Sequence, residues 1–286
     1  MILSLIARNL KVFFRDKQTI FFSLLGVLIV ILLYILFLAK SIREPLADLP
    51  NVDLLVDTYI MSGVLSVGTL TTTLAAYAIL IDDYVTHRQK DLYASPIKHY
   101  QINLAYLITS IIIGYTITLL TFTFSIAYFA IKDNTLLDLT AIINASLILL
   151  LMTINTATFS SLTVTFIKSH AAYSAVNVLL GTLIGFVTGV YIPMGALSDS
   201  MQALVKICPI SHGAALLRKI IMNIPLKNSF HNTDPLIIKA YEKYMGITFY
   251  NGNNEITEIQ HIIFLLATTI AFLIIRQTTS HAREGL

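Results

Sequence analysis

Apolar residues run along this chain in long blocks, and charged residues punctuate them. All Lys, Arg, Asp and Glu can be placed outside six intervals, residues 19–38, 59–81, 103–130, 141–167, 175–193 and 261–275. The first interval reads TIFFSLLGVLIVILLYILFL. As an α-helix rising ~1.5 Å per residue it covers about 30 Å, the thickness of bilayer hydrocarbon. The last interval reaches spanning length only by starting near Glu258 and ending at Arg276. The pattern predicts six transmembrane helices, with both termini on one side. Lys/Arg bias in short loops chooses that side. With the termini inside, the inner segments carry Arg8, Lys11, Arg15, Lys17, Arg88, Lys90, Lys98, Lys168, Arg276 and Arg283, whereas the short outer loops carry only Lys40, Arg43 and Lys132. The other cations fall in the long segment 194–260, whose charges count little because long segments translocate regardless. Both termini are therefore expected in the cytoplasm. The long charged lead before the first apolar run reads as a span flank rather than a signal peptide.

The segments between the spans have patterns of their own. In residues 1–17, Ser4, Arg8, Lys11 and Arg15 recur at helical spacing, opposite Ile2, Leu3, Ile6, Leu10, Phe13 and Phe14. This predicts an amphipathic helix lying in the membrane surface, with a basic stripe free to meet lipid headgroups or a cytoplasmic partner. Residues 81–100 read IDDYVTHRQKDLYASPIKHY. Asp82 and Asp83 suit a helix N-terminus, where the dipole favours anions, and Pro96 ends the helix after Ala94. After the fifth interval, Pro193 and Gly195 are expected to break the span. Ser198 or Asp199 can cap a helix to about Ile207, Pro209 breaks it, and Ser211 can cap a second helix through Met222. Neither piece can cross a bilayer, so the pair is predicted to dip into the outer leaflet and return, with Arg218 and Lys219 reaching out to its surface. Asp234-Pro235, LIIKAYEKYM and Gly246 then spell a capped helix, and Asn251-Gly252 between two short β-prone runs signals a hairpin.

Composition narrows the function classes. The chain has 286 residues, 56% hydrophobic and only 12% charged, with mean hydropathy +0.77. A soluble domain carries about 25% charge. The single Cys208 allows no disulfide within the chain. A net charge of +3 without a Lys/Arg block gives no reason to expect nucleic acid. None of the twelve glycines starts a Gly-x-x-x-x-Gly-Lys-Ser/Thr phosphate loop, so any ATP must be handled by another chain. The seven histidines show no His-Glu-x-x-His spacing and there is no Gly-x-Ser-x-Gly, which argues against an intramembrane enzyme. No Asp, Glu, Lys or Arg falls inside the six intervals, which argues against an ion-coupled carrier.

Polar residues within the intervals are hydroxyls, glycines and a few asparagines. Tyr59, Ser62, Ser66, Thr69, Thr73 and Tyr77 share one face of the second span; Ser110, Gly114, Thr118, Thr121 and Ser125 share one face of the third. Such stripes pack helices closely or line a weakly polar path, and Ser62, Ser66, Thr69, Thr73, Thr118 and Thr121 are the candidates for a path. Gly181, Gly185 and Gly189 form a doubled Gly-x-x-x-Gly and predict a tight helix contact, within the chain or across a two-fold axis. Asn144, Asn155 and Asn177 are expected to find partners on other helices.

Taken together, the basic start ARNLKVFFRDK, six spans, a loop ending in SPIK after the second, and the run from Pro-Met-Gly through Cys-Pro-Ile-Ser-His to Leu-Leu-Arg between spans five and six resemble the ABC type-2 export permeases, over nearly the whole length. The resemblance implies one all-α, six-span polytopic permease domain over residues 1–286 in a bacterial plasma membrane, paired with a second permease copy and two cytoplasmic ABC ATPase subunits that bind ATP and Mg. It implies an interface helix at 1–17, a coupling helix at 82–96 seated on the ATPase, re-entrant helices at 194–223 and a small external cap at 224–260. Arg8, Lys11, Arg15, Arg88, Lys90, Asp91, Ser95 and Pro96 then become candidates for ATPase coupling, and Pro193, Gly195 and Pro209 mark the re-entrant breaks. Many members carry Gly-Thr-x-Glu before the Ser-Pro; His87, Arg88, Gln89 and Lys90 stand there here, so coupling carries over by position. The uncharged, hydroxyl-bearing spans suit a hydrophobic or amphipathic cargo such as a peptide, toxin, lipid or drug. A glycan exporter, or a carrier or channel, is the alternative.

Overall fold

The computed structural model describes residues 2–47, 49–132, 137–231, 233–252 and 254–284, with side chains described to residue 279. Met1, Asn253 and the side chains of His281 and Arg283 therefore lie outside the described residues. The chain is helical almost throughout, and six helices are long and apolar enough to cross a membrane.

Helix α1 (Ile2–Arg15) ends at Asp16, whose carboxylate accepts from the backbone N–H groups of Gln18 and Thr19 and so caps α2 (Lys17–Leu33). A π-turn over Tyr34–Leu38 and α3 (Ala39–Arg43) continue α2 into the first span, Lys17–Leu46. Helices α4 (Val52–Ala76) and α5 (Ala78–Val85) abut at Tyr77 and form the second span, Val52–Val85. A short helix α6 (Arg88–Ala94) precedes the third span α7 (His99–Lys132), the fourth α8 (Leu139–Thr165) and the fifth α9 (His170–Val187). Between spans five and six lie α10 (Asp199–Ile207), α11 (Pro209–Ile221), α12 (Asn223–Ser229) and α13 (Pro235–Met245). A hairpin, β1 (Tyr250–Asn251) paired antiparallel with β2 (Asn254–Glu255), leads into α14 (Glu258–Glu284), which carries the sixth span.

Span two is the axis of the molecule. Of its apolar window 78% is buried, against 17% for spans one, five and six. It packs against α2, α7, α8, α9 and α11. Small residues permit this crowding: a Cβ on Gly114 would meet Thr73 at 2.5 Å and Thr153 at 3.0 Å, and one on Gly63 would meet Val190 at 2.1 Å. Hydroxyls also knit the helices. Ser110 donates to the Thr73 carbonyl at 2.9 Å and Thr156 to the Thr69 carbonyl at 3.1 Å. Asn155 on α8 donates to Leu265 O and to the hydroxyls of Thr268 and Thr269 on α14. Asn144 differs from expectation, since it lies exposed on the outside of α8.

Several boundaries correct the sequence reading. Span five ends at Val187, before Pro193 is reached. Gly189, with φ +71°, ends it: Gly189 N–H bonds to Phe186 O and Val190 N–H to Gly185 O, the paired bonds of a left-handed helix stop. Pro193 instead precedes a 3₁₀ turn over Met194–Ala196 that contains Gly195, where a Cβ would strike Tyr244 of α13 at 2.4 Å. The doubled Gly-x-x-x-Gly is no helix-packing stripe within the chain. Gly181 faces open space, Gly185 lies under the Tyr191 ring, and Gly189 is the stop itself. Pro209 opens α11 at its first position behind the cap Cys208, and the Ser211 hydroxyl reaches back to Val205 O and Cys208 O rather than capping. Asp234, Pro235 and Gly246 bound α13 as the spacing predicts, while in the hairpin Asn251 belongs to the strand and pairs with Asn254.

Arg218 departs most from expectation. It does not reach the surface: it is 2% exposed, its guanidinium lies 4.2 Å from the centre of the Tyr59 ring, and it donates to Thr188 O and Gly246 O. Those carbonyls end α9 and α13, so the negative ends of two helices face the buried cation. Lys219, half-buried, pairs with Glu255 and Glu258.

Candidate functional site

The end of the bundle that carries α1 is organised around one carboxylate. Asp83 is 1% exposed and accepts from both terminal nitrogens of Arg8, with the NH2 contact at 2.6 Å, and from Tyr106 Oη at 2.6 Å. Arg88 approaches it at 3.9 Å and bonds Asp82 at 2.9 Å; His170, at the start of α9, lies 4.0 Å from Asp82. A buried carboxylate is stable only when paired and hydrogen-bonded, and here the forked guanidinium and a phenol meet that need. In return, the hydrogen bond to Asp83 raises the Arg8 pKa above its usual value. Leu5, Ile6 and Phe13 of α1 pack into a cluster with Tyr77, Ile81, Ile102 and Tyr106, so the ion pair closes over an apolar seat.

This geometry revises two expectations. Asp82 and Asp83 belong to the last turn of α5, where the helix dipole opposes anions, and not to the start of the following helix. Their cationic neighbours replace the dipole. Arg8 likewise turns its charge inward, while Lys11 and Arg15 remain exposed. Helix α6 begins at Arg88, after His87 in the left-handed region, and exposes Lys90 and Asp91; the Ser95 hydroxyl bonds Leu92 O and Pro96 follows the helix end.

A second buried carboxylate lies at the opposite end. Asp57, 4% exposed, accepts from Tyr34 Oη, from Arg43 at 2.7 Å and from Lys132 at 2.5 Å, tying spans one, two and three. The helices thus extend past the uncharged intervals, and the two buried carboxylates on the extensions of span two, Asp57 and Asp83, are compensated by cations within the chain.

The hydroxyl stripe is not a path in this structure. Ser62, Ser66, Thr69 and Thr73 are fully buried, and each hydroxyl donates to a carbonyl of its own helix, at Thr58, Ser62, Ser66 and Thr69 respectively. Thr118 and Thr121 do the same to Gly114 and Ile117. A groove opens elsewhere, between spans one and five with span two as its floor, enclosing about 700 Å³. Its polar lining includes Thr19, Ser23, Thr71, Ser174 and Asn177, with Asp16, Asp82 and His170 at one end, and Phe22, Ile29, Leu70 and Leu180 belong to its apolar wall. No sequence motif marked it, because its two walls come from helices far apart in the chain.

Residues 39–275 match the family described as ABC-2 family transporter protein. The chain belongs to this family. The match takes in spans two to five, most of span six and α6, and it begins after α1 and α2. A comparison with curated proteins finds no match. The permease is a multi-pass membrane protein and a transport subunit of the ABC-2 type, a family that generally partners with an ATP-binding cassette subunit.

Proposed function

We propose that the permease works as the membrane subunit of an ATP-driven exporter that moves a hydrophobic or amphipathic substrate out of the cell, with ATP and Mg bound and hydrolysed by separate ABC ATPase subunits. Two permease copies and two ATPases make the working assembly, embedded in lipid with both termini cytoplasmic. The ATPase meets α1 and α6, and α10 and α11 dip into the outer leaflet beneath the cap formed by α12, α13 and the hairpin.

The observation that supports ATP coupling is the Asp83 hub. A force applied to α1 or to the α5–α6 junction reaches span three directly, because Arg8, Asp83 and Tyr106 join them through short hydrogen bonds around a group that cannot be left unpaired. Lys11, Arg15, Lys90 and Asp91 are exposed beside that junction and are free to contact a partner.

The test is to co-express the permease with an ABC ATPase encoded beside it, purify through a tag on the permease, and measure vanadate-sensitive ATP hydrolysis in lipid. A co-eluting complex with active hydrolysis is expected. A permease that binds no ATPase and moves ions or solutes alone in liposomes overturns the proposal in favour of a carrier or channel.

A further inference from the structure

The groove between spans one and five carries charge at one end only. At the α1 end its lining includes Asp16 and Asp82, with His170 beside them, and no Lys or Arg among the described residues lines it. Asp16 is exposed, and the Thr19 hydroxyl and the first N–H groups of α2 lower its pKa, so it is firmly anionic. Asp82 is 47% exposed, and its pair with the still more exposed Arg88 is of the weak, water-screened kind that a ligand cation can share. The buried carboxylate at this end, Asp83, is already committed to Arg8 and Tyr106. Beyond the acidic mouth the walls change to hydroxyls and an amide, Thr19, Ser23 and Asn177, and then to Ile29, Leu180 and Gly181.

A lipid chain alone gives no reason for two carboxylates at the mouth, and an anionic headgroup would be repelled by them. Deepening the exporter reading, on which its role in transport rests, we propose that this groove is the binding site for a cationic amphiphile, with the ammonium or other cationic head held between Asp16 and Asp82 and the apolar body lying between spans one and five. The volume of about 700 Å³ is of the size that holds drug-sized ligands.

The full-length permease in phosphatidylcholine nanodiscs serves for the test, titrated with radiolabelled dodecyltrimethylammonium and, in parallel, with dodecyl sulfate of the same chain length, both corrected for binding to empty discs. Saturable binding of the cation and not of the anion is expected. An Asp16→Asn/Asp82→Asn variant keeps the α2 cap, since Asn caps as well as Asp, and is expected to weaken cation binding about fivefold or more. Gly181→Leu adds a side chain where a Cβ meets nothing within 4 Å, so it fills the groove without straining the fold and is expected to abolish binding. Equal binding of both amphiphiles, or an unchanged cation affinity in the double Asn variant, shows a charge-blind lipid groove and overturns the proposal. No saturable binding of either amphiphile also overturns it. None of these readings needs an ATPase, so charge-selective binding without ATP-coupled transport leaves the site standing and removes the exporter reading instead.

Discussion

The ion pair between Arg8 and Asp83 permits a quantitative test of how α1 is held. Asp83 is 1% exposed whereas the Arg8 side chain is 35% exposed, so the two partners are not equivalent. Arg8→Met strands a buried carboxylate with the Tyr106 hydroxyl and with Arg88 at 3.9 Å, a loss of about 3 kcal/mol, the low end for breaking a buried pair. Asp83→Leu frees Arg8 to turn into water and leaves mainly the Tyr106 hydroxyl unpaired, a loss of about 1 to 2 kcal/mol. The double variant leaves only that hydroxyl, so it should lose no more than Asp83→Leu alone. The coupling energy is then about 3 kcal/mol, with the double variant more stable than Arg8→Met. The assay is reversible unfolding of the four purified proteins in mixed micelles, followed by circular dichroism. Losses that add to within about 0.5 kcal/mol, or a double variant less stable than Arg8→Met, refute the buried pair as the clasp of α1.

Further outcomes follow from the same structure. Reversing the charges of both Lys90 and Asp91, which are exposed on α6, should lower substrate-stimulated ATP hydrolysis in the assembled complex while leaving permease stability within about 0.5 kcal/mol; undiminished coupling removes α6 from the ATPase contact. Thr69→Val with Thr73→Val should retain transport, because both hydroxyls already bond carbonyls of their own helix; loss of transport with intact assembly would restore the stripe as a path. Gly189→Ala forces a Cβ into a left-handed residue 3.3 Å from Tyr59 Oη and should destabilise by about 1 to 2 kcal/mol or more, whereas Gly181→Leu should be near neutral in thermal stability; the reverse ranking would make the glycine stripe a packing face after all.

Much of the secondary structure was legible because single residues decide it. Pro96 closes α6 after Ala94, Asp234-Pro235 opens α13 and Gly246 ends it, since caps and prolines act within a turn or two of chain. The end of span five was misread for a related reason. Gly189 resembled a packing glycine, spaced four residues after Gly185, and only its positive φ reveals a helix stop. Side-chain destinations were the least legible. Arg218 read as a surface cation because nothing near it in sequence announces that Thr188 O, Gly246 O and the Tyr59 ring will surround it. The hydroxyls of span two read as a path or as packing alike, because a stripe states which face is polar and not what covers that face.

The sequence alone determined the class of molecule. Uninterrupted apolar runs of membrane length have one stable form in lipid, the helix that satisfies its own backbone, so six spans and a helical fold follow from hydrophobicity and length. Tertiary structure decided which polar groups meet. Asp83 finds Arg8 and Tyr106, Asp57 finds Arg43 and Lys132, and a groove opens between spans one and five, all across long stretches of chain. Those pairings depend on the rotation and depth of each helix against its neighbours. Glycines such as Gly63 and Gly114 set them through contacts at a few ångströms, a distance over which periodicity along one helix carries no information about another.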